Sequence, residues 1–191
     1  MKRLAIFAAL AAFAAAAQAA PVTYVIDNSH TYPHFTYNHL GFSNQTHKFD
    51  KTSGKVVLDR AARTGSVDVS IDATSINTGY ALFNEHIQAA DYFDTANYPT
   101  ITFKSSKMKF KGDQPVSLVG DLTIKGVTKP VTLAITHFKC QPHPMLKVDA
   151  CGANATTQLK RSEFNMSKNV PFVSDEVTLA IAIEAVNKPA Q

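Results

Sequence analysis

The sequence contains no tryptophan and only two cysteines among 191 residues. It has no C-x-x-C, which disfavours dithiol redox catalysis. No G-x-S-x-G, H-E-x-x-H, phosphate-binding glycine loop or dinucleotide fingerprint occurs, so a covalent or cofactor enzyme is disfavoured and no cofactor is expected. Paired carboxylates suited to acid–base work are missing as a pattern, since Asp91 and Asp94 sit in a turn-like stretch. No Gly/Ser linker, charge block or internal repeat divides the chain, which therefore reads as one domain. Its formal charge is only +4. Lysines such as Lys104, Lys107, Lys109 and Lys111 are scattered as on a solvated β surface, without a recognised nucleic-acid motif, and nucleic acid is not an expected partner.

The chain has one long apolar run, at its start. Lys2 and Arg3 precede Leu4 to Ala17, and Ala17-Gln18-Ala19 has the small-x-small form of a signal-peptidase site. A signal peptide over 1–19, cut after Ala19, leaves a domain of 20–191. A transmembrane anchor is the competing reading, but about 14 residues, mostly alanine, are too few and too weakly apolar to span a bilayer. Loss of Lys2 and Arg3 lowers the charge from +4 to about +2. The expected location is the bacterial periplasm, where cysteines can stay oxidised. Val131 to Cys140 and Val148 to Lys160 read as strands, and a hairpin centred on Gln141 to Leu146 sets Cys140 opposite Cys151. A disulfide there would contribute up to roughly 3 kcal/mol. A buried thiol pair is the alternative.

Period-two patterning dominates the remainder. Val67, Val69, Ile71 and Ala73 share one strand face, and the pattern recurs in Ile101 and Phe103, in Leu122 and Ile124, in Val131, Leu133 and Ile135, and in Val177 to Ile183. With Val22–Ile26, Phe35–Leu40, His47–Leu58 and the strand after Cys151, about eight or nine strands are expected. Long strands in one domain predict an all-β, closed antiparallel barrel rather than a sandwich. A barrel of about eight strands either fills itself or holds one small ligand, and the size of the inward residues decides which. Ala150, Gly152, Ala153 and Ala155 on one strand, and Ala180 and Ala182 on another, leave space on at least one face. No tryptophan plugs that space, and 12 phenylalanines are available to line it. Between Thr78 and Asp94, residues Leu82, Phe83, His86, Ile87, Ala90 and Phe93 fall at helical spacing, predicting a short helical segment near 79–94 that plugs or lids one barrel end.

Strand parity selects Phe49, Val69, Ile71, Ile101, Phe103, Leu122, Leu133 and Ile181 as candidate ligand contacts, joined by Phe83 and His86 on the helical segment. Some must be packed core, because facing inward serves either role. His30, His34, His39 and His47 crowd the early chain, but no Cys, Asp or Glu completes a metal set at a recognised spacing, so no metal is expected. His86 and His137 lie amid apolar residues, where a histidine is usually a satisfied core group. Arg161 is a headgroup candidate for a phosphate or carboxylate at the barrel mouth. A surface ion pair with Glu163 is the competing reading.

Several stretches resemble the YceI family of periplasmic polyisoprenoid-binding proteins. They are Asn38-His39-Leu40-Gly41-Phe42-Ser43, Glu85-His86-Ile87 through Ala89-Ala90-Asp91-Tyr92-Phe93-Asp94, Tyr98-Pro99-Thr100-Ile101-Thr102-Phe103 and, most specifically, Gly120-Asp121-Leu122-Thr123-Ile124-Lys125-Gly126-Val127-Thr128-Lys129-Pro130-Val131. Arg161-Ser162-Glu163-Phe164 and Glu184-Ala185-Val186 also match. The resemblance implies a lipocalin-like barrel enclosing a polyisoprenoid, isoprenoid quinone or other long-chain lipid, with no catalytic residue. Some family members travel with a membrane cytochrome, so an accessory acting through its surface beside a quinone oxidoreductase is the alternative function. An enzyme acting on a lipid through His86 or His39 ranks third. The oligomeric state is left open. Two departures stand out: His47 replaces a common glycine, which would narrow or polarise the barrel, and Phe83-Asn84 replaces a common Arg-Asp, which removes a charged network near His86.

Overall fold

The structure is a computed structural model that describes residues 20–187; the expected signal peptide, 1–19, lies outside the described residues. Eleven strands form one sheet: β1 (Val22–Ile26), β2 (Tyr32–His39), β3 (Ser43–Phe49), β4 (Thr52–Asp59), β5 (Thr64–Asp72), β6 (Ile76–Asn77), β7 (Thr100–Lys111), β8 (Gln114–Ile124), β9 (Val127–Pro142), β10 (Asp149–Lys160) and β11 (Glu176–Val186). One helix, α1, spans Ala81–Gln88. The hydrogen-bonded order β1-β4-β5-β7-β8-β9-β10-β11 closes through pairing of β1 with β11, giving an eight-stranded antiparallel barrel.

The three remaining strands, β2, β3 and β6, extend barrel strands. β1 and β2 run along the same partner, β11, with Ile26 opposite Ala185 and Tyr32 opposite Ala182. β3 and β4 form the next strand, and β5 and β6 the one after. Each of the three bends at the same level. Asp27 and Asp72 start the bends in the same way, their carboxylates accepting from the backbone N–H two residues on, at 2.9 Å each, as Asx turns do. The bends are tied crosswise: Asn28 Oδ1 accepts from the Thr52 N–H, and the Asp50 N–H donates to the Ser75 carbonyl at 3.0 Å. The sequence patterning reads His47–Leu58 as one strand, but this seam interrupts it at Asp50 and Lys51. There the Asp50 and Lys51 N–H groups donate to the Ser75 carbonyl and hydroxyl, at 3.0 Å each.

Above the seam, β6 pairs with β3 alone and β7 does not begin until Thr100, so the wall has a gap. α1 fills it. The expected helical segment near 79–94 is helical over Ala81–Gln88 and continues as turns to Asn97. Ile87 is buried against the barrel core, while Leu82 faces solvent. Asn84 fixes the entry, its side-chain oxygen accepting from both the N–H and the hydroxyl of Thr78, at 2.7 Å each.

The connections 40–42, 78–99, 125–126 and 161–175 share this lid end, and those at 60–63, 112–113 and 143–148 form the base. At the lid, Lys125 donates to the carbonyls of Ala90 (2.6 Å) and Asn165 (2.9 Å), joining two connections. At the base, Tyr24, Leu58 and Ala185 pack into a separate small cluster. The Tyr24 hydroxyl donates to Asp149 at 2.7 Å. Burial, followed by that carboxylate, pushes its pKa up to about 12. Register sets Cys151 opposite Cys140, and the two form the expected disulfide across β9 and β10.

Candidate functional site

The barrel interior is not filled. A cavity of about 360 Å³ runs from Tyr24 and Cys151 near the base to Tyr92, Asn169 and Arg161 at the lid. That volume falls within the range of about 300–1,000 Å³ usual for small-molecule sites. Its wall is almost wholly aliphatic and aromatic, because period-two strands deliver only their apolar face to the lumen.

Space arises chiefly at β10. Ala153 and Ala155 line the cavity opposite Ile183 and Ile181 of β11, so small residues stand where a filled barrel needs large ones. Ala180 and Ala182 were expected to add space, but both face outward and contribute none. Across the lumen, registers stack Val69, Phe103 and Leu122 into one row and set Ile71 opposite Ile101. Gly120 makes the placement of Phe103 possible, since a Cβ there would stand 2.6 Å from the Phe103 ring.

All ten positions selected from the sequence border the cavity. Phe49 comes from β3, Val69 and Ile71 from β5, Ile101 and Phe103 from β7, Leu122 from β8, Leu133 from β9 and Ile181 from β11. Phe83 and His86 reach it from α1, with His86 between Phe83 and Tyr92 at ring separations of 5.8 and 5.0 Å. Phe35 and Tyr37 were missed, although their period-two spacing in β2 carries the signal. Tyr92, Met166 and Asn169 were missed because loops deliver them, and loops have no periodicity to read.

Arg161 borders the cavity but differs from the expected mouth residue. It is buried, and its guanidinium donates to the carbonyls of Met166 (2.6 Å), Val173 (2.8 Å) and Ser174 (2.9 Å). Burial lowers its pKa, opposed by nearby Asp175. It does not pair with Glu163, which lies 3.7 Å from Lys129. Arg161 is therefore the hub around which the 161–175 connection folds, and only its remaining N–H groups are left for a ligand.

His47, expected to narrow or polarise the barrel, is buried behind residues that border the cavity but does not border it itself. It lies buried among Phe35, Tyr37 and Phe83, with ring separations of 5.5–5.6 Å. Nε2 is 3.1 Å from the Tyr37 hydroxyl. Burial lowers the His47 pKa, partly opposed by the Thr78 backbone acting on the ring, so the ring is neutral at pH 7. His137, read as lying amid apolar residues, is exposed. His30 pairs with Asp27 at 2.9 Å, and His34 and His39 border the cavity. Among the described residues, no group of three or more His, Cys, Asp or Glu side chains is placed to hold a metal.

A family model for the YceI-like domain matches residues 24–185, which spans every barrel strand but the first two residues of β1 and the last of β11. The chain belongs to the YceI-like family. It is 34% identical over 183 residues to protein YceI of Escherichia coli O157:H7, covering 95% of each chain. It is 33% identical over 190 residues to a UPF0312 protein of Azotobacter vinelandii, covering 98% of each. Among solved structures, Burkholderia cenocepacia BcnA superposes with a TM-score of 0.73 at 27% identity, over 84% of this chain and 99% of that one. A polyisoprenoid-binding domain from Saccharophagus degradans shares the fold, with a TM-score of 0.66 at 17% identity, over 87% of this chain and 99% of that one. In this YceI-like barrel the lid end, where α1 and Arg161 sit, carries most of the polar groups that border the cavity.

Proposed function

We propose that this chain is a non-catalytic carrier, exported to the periplasm, that encloses a long apolar ligand such as a polyisoprenoid, an isoprenoid quinone or a fatty-chain lipid. One observation carries the reading: an apolar cavity extends along the barrel, and small residues on β10 hold it open. An apolar cavity of this kind takes up apolar matter. The family membership and the polyisoprenoid-binding neighbour support the ligand class. Export rests on Lys2, Arg3, the apolar run and the Ala17-Gln18-Ala19 site.

The surface-acting accessory of a membrane cytochrome would be favoured by a barrel filled with Phe49, Phe103, Phe110 and Phe164. Phe49 and Phe103 instead border open space, and Phe110 and Phe164 lie outside the cavity wall. The test is native mass spectrometry of protein purified from periplasm, followed by organic extraction. A stoichiometric prenyl or acyl species is expected. A clean apo mass, with no uptake of prenyl or acyl probes, would overturn the carrier.

A further inference from the structure

Six large apolar side chains are exposed at the lid end, Tyr98 the least of them. Leu40 and Phe42 (85% exposed) sit in the β2–β3 turn, Phe172 (73%) in the 161–175 connection, and Tyr80 and Leu82 at the start of α1. Leu40, Phe42 and Phe172 form a unit bonded to the cavity wall. The Leu40 N–H donates to the Phe172 carbonyl and the Phe42 N–H to that of His39, each at 3.0 Å. His39 in turn bridges Val173. His39 and Val173 both border the cavity, so backbone pairing fixes the exposed side chains at its rim. A cluster of this kind on a soluble surface marks an interaction site.

The charges at this end point to the occupant, because most are held within the protein; among the described residues, Glu85 on α1 and Lys160 at the end of β10 are exposed without an ion pair. Lys168 lies 3.2 Å from Asp91 and Lys129 lies 3.7 Å from Glu163. The Lys125 ammonium is held by two carbonyls and the Arg161 guanidinium by three. Projecting aromatics beside charges that are largely held within the protein and of both signs suit an uncharged apolar phase beneath zwitterionic headgroups. At the base, Met145 and Leu146 are also exposed, but they share that end with Arg60 and Arg63, which pair with Asp149 and Asp113, and with Lys111 and Lys147, and Tyr24, Leu58 and Ala185 pack together near that end of the barrel.

We propose that the lid end docks on a lipid bilayer through Leu40, Phe42 and Phe172, presenting the cavity mouth to the acyl chains so that ligand moves between membrane and lumen without crossing water. The proposal rests on the carrier reading and adds where loading occurs. Two assays separate them: flotation with phosphatidylcholine vesicles reads docking, and uptake of a fluorescent polyprenol from detergent micelles reads the cavity.

The parent should float, with little sensitivity to salt. A Phe42→Ser/Phe172→Ser variant should bind vesicles ~100-fold more weakly, about tenfold for each ring withdrawn from the bilayer. Its vesicle-to-vesicle polyprenol transfer should slow by at least ~10-fold, with uptake from micelles and melting temperature unchanged. Met145→Ser/Leu146→Ser should match the parent. The docking proposal is overturned if the parent fails to float, if the phenylalanine variant floats and transfers like the parent, or if only the Met145/Leu146 variant loses vesicles. Failure of the carrier reading would appear instead as no micellar uptake by any of these proteins, and flotation would still decide docking.

Discussion

Replacing Ala155 with phenylalanine places an aromatic ring in the lumen midway along β10, between Ile135 of β9 and Ile181 of β11. In a close-packed core, such overpacking costs about 1–3 kcal/mol. In a cavity of about 360 Å³ the ring meets open space and buries its own apolar surface. The stability change should therefore be near zero or favourable, and in a domain of this size each kcal/mol moves the melting temperature by roughly 2–4 °C. Ligand supplies the second arm. At about 100 times its Kd a ligand stabilises the parent by about 2.7 kcal/mol, or roughly 5–11 °C. The variant should lose most of that shift, because the ring occupies the ligand's path. Calorimetry with and without a polyprenol measures both arms. A fall of more than ~4 °C without ligand would show that Ala155 faces packed core. An undiminished ligand shift would place the ligand elsewhere.

Three further perturbations follow from named contacts. Replacing Cys140 and Cys151 by serine removes a cross-link closing a sequence separation of 11 residues; the expected loss is nearly 3 kcal/mol in urea unfolding, with uptake retained below the transition. Lys125→Met cuts the tie from the β8–β9 turn to Ala90 and Asn165, and should raise the ligand off-rate about tenfold in stopped-flow displacement with little change in melting temperature. His47 sets a pH dependence: its folded pKa lies below 6.5, so the unfolded chain binds the proton first. Stability should fall as pH drops from 6.5 toward the folded value and level off below it, and urea melts of His47→Phe should show a flatter profile.

Strand parity carried the reading of the barrel furthest. Val69, Ile71, Ile101, Phe103, Leu122, Leu133 and Ile181 were legible as inward positions because a strand alternates its faces without exception until a bulge intervenes. The Cys140–Cys151 pairing was legible for the same reason, a hairpin register counted outward from its turn. What parity could not show was the seam. It arises from Asp27, Asn28, Asp50 and Asp72 bonding to backbone, and its crosswise bonds join residues 24 and 25 positions apart. Ala180 and Ala182 misled because small size says nothing about which face is inward. Arg161 misled because a charged side chain reads as exposed, and nothing local in the sequence reveals three carbonyls converging from 5, 12 and 13 residues further on.

The seam also accounts for how a barrel this small keeps an interior. Eight strands continued at uniform pairing can just fill their centre with side chains. Below the seam the ring is closed, and Tyr24, Leu58 and Ala185 pack its floor. Above it, β6 parts from β7 and a helix takes the place of a wall segment. A helix is not hydrogen-bonded to its neighbours through its backbone, so α1 can shift without breaking a ladder, whereas a strand in that position could not. α1 brings Phe83, His86 and Ile87 to the cavity: Phe83 and His86 meet His47 and Tyr92 through ring contacts, and Ile87 is buried in the barrel core. The same departure from strand pairing that makes room at the lid end thus places α1, the one part of the wall outside the hydrogen-bonded ladder, at the same end as the apolar rim of Leu40, Phe42 and Phe172.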